Sequence, residues 1–202
     1  MFAHAEHRSD WVSYEDFLAN AEGVRAEWVD GEILYMSPQT DRHLLISGFL
    51  YKALGGYVRL KGIGGRVMQA GFQVRLGPRV GREPDVSYVA PQNMHRLTRT
   101  FVEGPVDLAV EVISPDSRVR DRRDKHREYA QYGVREYWLI DPDKETIEVF
   151  HLGAGGEVYE PVALGTPARV TSDVIPGLWI DPVWMWADDP DEFAAYREWG
   201  LI

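Results

Sequence analysis

Residues 107–115 read DLAVEVISP, and the reading of this stretch decides the fold. Leu108, Val110 and Val112 alternate with Asp107, Ala109, Glu111 and Ile113, the period of two that belongs to a β-strand. Nearly all of these side chains suit burial. Glu111 does not. An unpaired carboxylate in such a strand costs on the order of several kcal/mol, so Glu111 needs either a partner or a task.

The flanking segments give the strand its setting. Residues 84–90 (PDVSYVA) read as a strand. So do 66–76 (RVMQAGFQVRL), with GPRVGR as the turn between them. Before these, Thr40 to about Leu60 reads as a long helix, with Leu45 and Phe49 joined by Leu44, Tyr51, Leu54 and Val58 on a broad apolar face. Residues 91–104 are a connection with one helical turn. After the central strand, Asp116 to Tyr132 is a charged helix stopped by Gly133, and REYWLID (135–141) is again a strand. The order helix, three strands, helix, strand makes the chain α/β, a mixed sheet flanked by helices.

Both ends add to this core. SDWVSYEDFLANAEG is a short helix capped by Ser13 and stopped by Gly23. RAEWVDGEILYMSP is a hairpin around Asp30-Gly31. ETIEVFHL and EVYEPVAL form a C-terminal hairpin closed by GAGG, and PGLWIDPVWMW leads into a short acidic helix. Trp179, Trp184 and Trp186 read as core or dimer-interface anchors.

Composition narrows the class. The chain has 202 residues, 45% hydrophobic and 27% charged, which suits one domain over residues 1–202. It lacks an apolar run near ~18 residues and a basic-then-apolar N-terminus, so neither a membrane span nor a signal peptide is expected. With no cysteine, disulfides and thiolate zinc sites are excluded, in keeping with a cytoplasmic location. The net charge of −10 argues against a protein that only coats nucleic acid. It weighs less against an enzyme whose carboxylates are neutralised by metal ions. One basic run, RVRDRRDKHR at 118–127, offers local positive charge. Within it Arg118 and Arg122 are the candidates for holding a substrate phosphate.

Asp85 opens the strand before the central one. If the two strands are neighbours, Asp85 and Glu111 face one pocket, near strand ends where α/β sheets place their sites. Two adjacent carboxylates repel, so a proton or a cation must separate them. Hard cations such as Mg²⁺ or Mn²⁺ take carboxylates, a carbonyl and water, and the carbonyl of Val112 is the natural third ligand. Lys125, on the following helix one turn after Asp121, is the candidate to stabilise a phosphate. The six histidines show no metal-ligand spacing, and only His43, opening the long helix, is singled out.

These residues resemble the PD-(D/E)XK nuclease superfamily, with its restriction-endonuclease-like fold. More closely, AEWVDGEILYMSP, EPDVSYVAP, DLAVEVISPDSRVRDRRDKHREYAQYGVREYWLIDP and IPGL resemble the bacterial endonuclease family called Uma-two. The likeness spans about residues 13–186. It implies Mg²⁺-dependent hydrolysis of phosphodiesters in DNA, with Asp85 and Glu111 as metal ligands. Glu27 in EWVDGE matches an acidic position that completes the site. The superfamily lysine is replaced here by Ile113, and the family resemblance implies that Lys125 takes its place. A homodimer is expected from the aromatic tail and from the superfamily habit of cutting two strands. Two other readings stay open: a catalytically inactive nuclease-fold protein that binds nucleic acid or protein, and hydrolysis of some other phosphodiester.

Overall fold

The computed structural model describes residues 11–21, 23–165 and 169–202. Helix α1 (Tyr14–Asn20) starts where the Ser13 hydroxyl accepts the N–H of Asp16. Strands β1 (Ala26–Val29) and β2 (Glu32–Tyr35) form the expected antiparallel hairpin. Its turn residues, Asp30 and Gly31, both have positive φ, as this tight turn requires. Helix α2 (Asp41–Leu60) is capped by Thr40, whose side chain accepts the N–H of His43.

The segment 66–76 departs from expectation. It is two strands, β3 (Arg66–Gln69) and β4 (Gln73–Gly77), in different sheets. Between them Gly71 takes a φ of 95°, a left-handed geometry that no strand can run through. The expected turn GPRVGR also supplies a strand, β5 (Val80–Arg82), buried at every residue. Next come β6 (Val86–Val89), a 3₁₀ turn over Pro91–Arg96, β7 (Phe101–Glu103) and β8 (Leu108–Val112). The expected charged helix begins with a π-helical turn, Arg120–Lys125, that runs into α3 (His126–Gln131). The chain closes with β9 (Glu136–Asp141), β10 (Thr146–Leu152), β11 (Tyr159–Pro161), β12 (Val170–Thr171), β13 (Trp179–Ile180), α4 (Val183–Trp186) and α5 (Glu192–Glu198).

One sheet runs β11-β10-β9-β8-β6-β3, and a second runs β2-β1-β5-β4-β7. Strands β3, β6 and β8 are antiparallel neighbours, while β9 lies parallel to β8. That parallel pair demands a crossover, which α3 provides. Elements α2, β3, β6, β8, α3 and β9 thus reproduce the expected helix–strand–strand–strand–helix–strand core.

Strand β8 is buried on both faces. Leu108, Val110 and Val112 join a core with Ile46, Leu50 and Leu54 of α2. Ala109 and Ile113 join another with Val74, Tyr129 and Tyr137. Each fully buried aliphatic side chain of this kind contributes roughly 1.5–3 kcal/mol, so register slip of β8 is strongly disfavoured. The late tryptophans are engaged within the chain: Trp179, Trp184 and Trp186 pack against the α2 core, and Trp184 meets Trp199 edge-on.

Candidate active site

Pairing of β6 with β8 matches Val86 to Val110 and Ser87 to Ala109. One more step along this register sets Asp85 across from Glu111. The link is direct, since Asp85 Oδ2 accepts the N–H of Val112 at 2.9 Å. Asp85, Glu111, Val112 and Lys125 line one pocket at the ends of these strands. Its free volume is about 20 Å³, roughly the room that one water-sized sphere needs.

Lys125 closes the pocket from the helix side. Its Nζ lies 2.8 Å from Glu111 Oε2, 2.8 Å from Glu27 Oε1 and 3.3 Å from Asp121 Oδ1. The residue is fully buried. It ends the π-helical turn, a local widening that often marks functional positions, and Asp121 stands on the same turn. Ile113, where the superfamily carries lysine, instead fills the core on the same face as Ala109. The ammonium therefore reaches Glu111 from α3's side rather than along β8.

Glu27 sits behind Lys125 and does not line the pocket. Its other oxygen meets Arg82 at 2.7 Å, and Arg82 also meets Glu128 at 2.6 Å. Six charged side chains from β1 (Glu27), β5 (Arg82), β8 (Glu111) and the helix (Asp121, Lys125, Glu128) are thereby locked together. Asp85 has a separate cradle. Its Oδ1 lies 2.9 Å from His43 Nε2, 3.1 Å from Gln39 Nε2 and 3.3 Å from Arg25 Nη2. Arg25 is anchored in turn by Glu83 at 3.0 Å.

These surroundings push the carboxyls apart. Burial raises Glu111 to about 8, reinforced by the negative charges of Asp121, Asp85 and Glu27 and opposed by Lys125. Burial alone would raise Asp85 too, but the hydrogen bond and charge of His43, the charge of Lys125 and the Val112 N–H hold it below its usual range. Glu27, although buried, is drawn down to about 2 by Lys125 and Arg82. Lys125 stays charged, because Glu111, Glu27 and Asp121 together outweigh its burial. A pair of nearby acids driven in opposite directions is the pattern of a working site.

A raised carboxyl among other acids is also one that gains from a further cation. Asp85, Glu111 and the Val112 carbonyl are all-oxygen donors, the set that suits a hard divalent ion. Among the described residues, no three His, Asp or Glu side chains converge as a complete metal cage.

A family model described as "Putative restriction endonuclease", Uma2, matches residues 11–183. The chain belongs to the Uma2 family. A crystal structure of "a putative nuclease belonging to DUF820" from Anabaena variabilis superposes with a TM-score of 0.70 at 19% identity. The match covers 87% of this chain and 97% of that one, and it shows the restriction-endonuclease-like fold. No curated protein is significantly similar in sequence. No helix among the described residues is long and apolar enough to cross a membrane.

Within this Uma2 chain the structure brings together Asp85, Glu111, Val112 and Lys125, with Glu27 one shell behind. It does not bring Arg118 or Arg122 to the pocket. Arg118 pairs with Asp141 at 2.8 Å and Asp143 at 3.2 Å, and Arg122 with Glu148 at 2.6 Å. The arginines that do line it are Arg25 and Arg120. Neither stood out, since Arg25 is isolated before the hairpin and Arg120 is one of several in a basic run. Arg82 was hidden inside an expected turn. His43, which opens α2, is the histidine singled out in sequence, whereas Gln39 lies before the Thr40 cap and carries no signal there. Tyr129, whose hydroxyl donates to Glu111 Oε1 at 2.6 Å, reads in sequence as core.

Proposed function

We propose that this protein is an endonuclease that hydrolyses phosphodiester bonds in DNA with the help of Mg²⁺ or Mn²⁺. Asp85, Glu111 and the Val112 carbonyl would hold the ion. The observation that carries the reading is the buried Lys125 ammonium, 2.8 Å from Glu111 Oε2 in the same pocket as Asp85. A nuclease site of this kind needs two carboxylates and a cationic donor side by side. This chain assembles them although β8 carries Ile113 where lysine is expected.

Bound there, a divalent ion supplies Lewis acidity at the scissile phosphate. The protein's own groups do the rest. Lys125 donates an N–H toward the attacking water and the phosphate oxygens, and Glu27 and Asp121 keep it charged and aimed. Asp85, whose Oδ1 is held by Arg25 and Gln39, would be one of the residues that hold the ion. The Arg25 guanidinium, which lines the same pocket, would balance phosphate charge. Because β6 and β8 are rigid and fully buried, the carboxylates need little reorganisation during the reaction. A homodimer is part of the same reading, and sedimentation velocity should then show a species of twice the chain mass.

The test is calorimetric titration of Mn²⁺ into wild type and into an Asp85→Ala, Glu111→Ala double variant, alongside plasmid cleavage. Wild type should bind the ion and nick DNA, and the double variant should do neither. Equal, weak ion binding by the two proteins would sink the metallonuclease reading and favour a non-catalytic binding role.

A further inference from the structure

A trough leads away from Asp85 along the surface. Arg25, Gln39 and Asp85 line both the carboxylate pocket and a neighbouring hollow of about 290 Å³. One wall of that hollow is α2, through Ser47 and Gly48, and the other is the β3–β4 connection, through Gln69, Ala70 and Gly71. Gln69, Ala70 and Gly71 in turn line a further hollow of about 390 Å³ together with Tyr51, Arg66 and Arg99. The hollows share residues one after another and so form a continuous path. A Cβ at Gly48 or Gly71 would meet no atom within 4 Å, so neither wall is crowded at these positions.

Its charge runs against that of the molecule. The chain carries −10 overall, yet the far hollow is lined by two arginines and no acidic residue. Arg66 and Arg99 are exposed, and the ion pairs among the described residues involve neither of them. Tyr51, partly exposed at 36%, and the half-buried Phe72 add aromatic faces to the same walls. A narrow basic track with aromatic faces suits unpaired nucleic acid, whose phosphates follow the cations while its bases stack. A duplex keeps its base faces inside the stack and leaves Tyr51 nothing to lie against. Hollows of this size are also those of small-ligand pockets, not of a cleft for a double helix.

We propose that this trough holds an unpaired strand of the substrate nucleic acid on one side of the scissile phosphate, with Arg66 and Arg99 on its phosphates and Tyr51 against a base. The proposal rests on the nuclease reading of Asp85 and Glu111, and its test separates the two. A fluorescein-labelled 12-nucleotide single strand and the matching duplex are titrated with protein in Ca²⁺, which holds off cleavage. The variants are an Arg66→Gln, Arg99→Gln double substitution and Tyr51→Ala. Hydrolysis of bis(p-nitrophenyl) phosphate in Mn²⁺, a substrate too small to reach the trough, reports on the carboxylate site.

Wild type should bind the single strand more tightly than the duplex. The double variant should flatten the salt dependence of single-strand binding by about 1.4 log units per decade, two phosphates at ~0.7 each. Tyr51→Ala should weaken single-strand binding about fivefold or more. Hydrolysis of the small ester should be the same in all three proteins. Unchanged affinity and salt slope in the variants would overturn the proposal, as would wild-type binding of duplex as tight as single strand. Loss of single-strand binding in the variants, with no ester hydrolysis by any protein, would keep the trough and remove the nuclease reading.

Discussion

Replacing Lys125 by methionine removes one charge and little volume, so it isolates the electrostatics of the site. Glu111 and Asp121 then have no cation within ion-pair distance among the described residues, while Glu27 keeps Arg82 at 2.7 Å. Breaking a buried ion pair from one side costs about 3–5 kcal/mol, a large part of a typical total of about 5–15 kcal/mol. At about 2–4 °C per kcal/mol for a chain of this size, the melting temperature at pH 8 should fall by about 6–20 °C. The loss depends on pH with a definite sign. Lys125 has its pKa raised by folding, so its own contribution is constant at all pH values below the unfolded lysine value near 10.4. The carboxyls change. Glu111 already sits at about 8 in the folded protein, above its unfolded value, so it costs stability as pH rises from about 4.5. Without Lys125 its pKa climbs further, and the cost extends to higher pH. Below about pH 8 Glu111 is protonated in both folded proteins, so the variant's deficit should be level from about pH 5 to pH 7 and grow as pH rises above about 8. Thermal unfolding followed by circular dichroism at pH 6 and pH 9.5 measures this, and plasmid nicking in Mg²⁺ reports function, which should vanish. A deficit of the same size at both pH values would refute the charge argument. Undiminished nicking would show that another group plays the lysine's part.

Three further outcomes follow from the same geometry. Glu111→Gln should abolish nicking yet raise stability at pH 8 by about 1–3 kcal/mol. The gain should disappear at pH 4, where Glu111 is protonated in folded and unfolded chains alike, as urea unfolding at the two pH values would show. His43→Ala removes the imidazole 2.9 Å from Asp85 Oδ1; it should weaken Mn²⁺ binding or activity about 10- to 100-fold, in line with other residues that hold a ligand in place. Gly56→Ala would put a Cβ 2.0 Å from the Tyr196 hydroxyl, which donates to the Lys52 carbonyl. Overpacking there should cost about 1–3 kcal/mol and displace α5 while leaving cleavage per folded molecule unchanged, read from melting temperature and kcat together.

Much of this was legible in the residues themselves. The period-two pattern of 108–112 marks a strand buried on both faces, because apolar side chains on alternate positions leave it no other stable place. The Asp30-Gly31 turn and the caps at Ser13 and Thr40 are local chemistry, decided within four residues. Asp85 and Glu111 are candidates in the sequence because each is a charge beside apolar strand residues, and Lys125 because the family resemblance implies a lysine on the next helix. Segment 66–76 misled because two short strands with apolar patterns look like one long one; only the left-handed Gly71 separates them, and glycine alone does not announce its φ. Burial and charge pairing depend on elements far apart in the chain. Glu27 and Lys125 are 2.8 Å apart only because β1 joins β5 and α3 crosses over β8. Arg118 and Arg122 are held by Asp141 and Glu148 because the same helix turns that face outward, toward β9 and β10. The candidate carboxylates Asp85 and Glu111 are a property of the sequence, where a misplaced charge stands out locally. Their pKa values, the replacement of Ile113's missing lysine and the trough beside Asp85 belong to the tertiary structure, since they arise from groups that approach one another only when the sheets close.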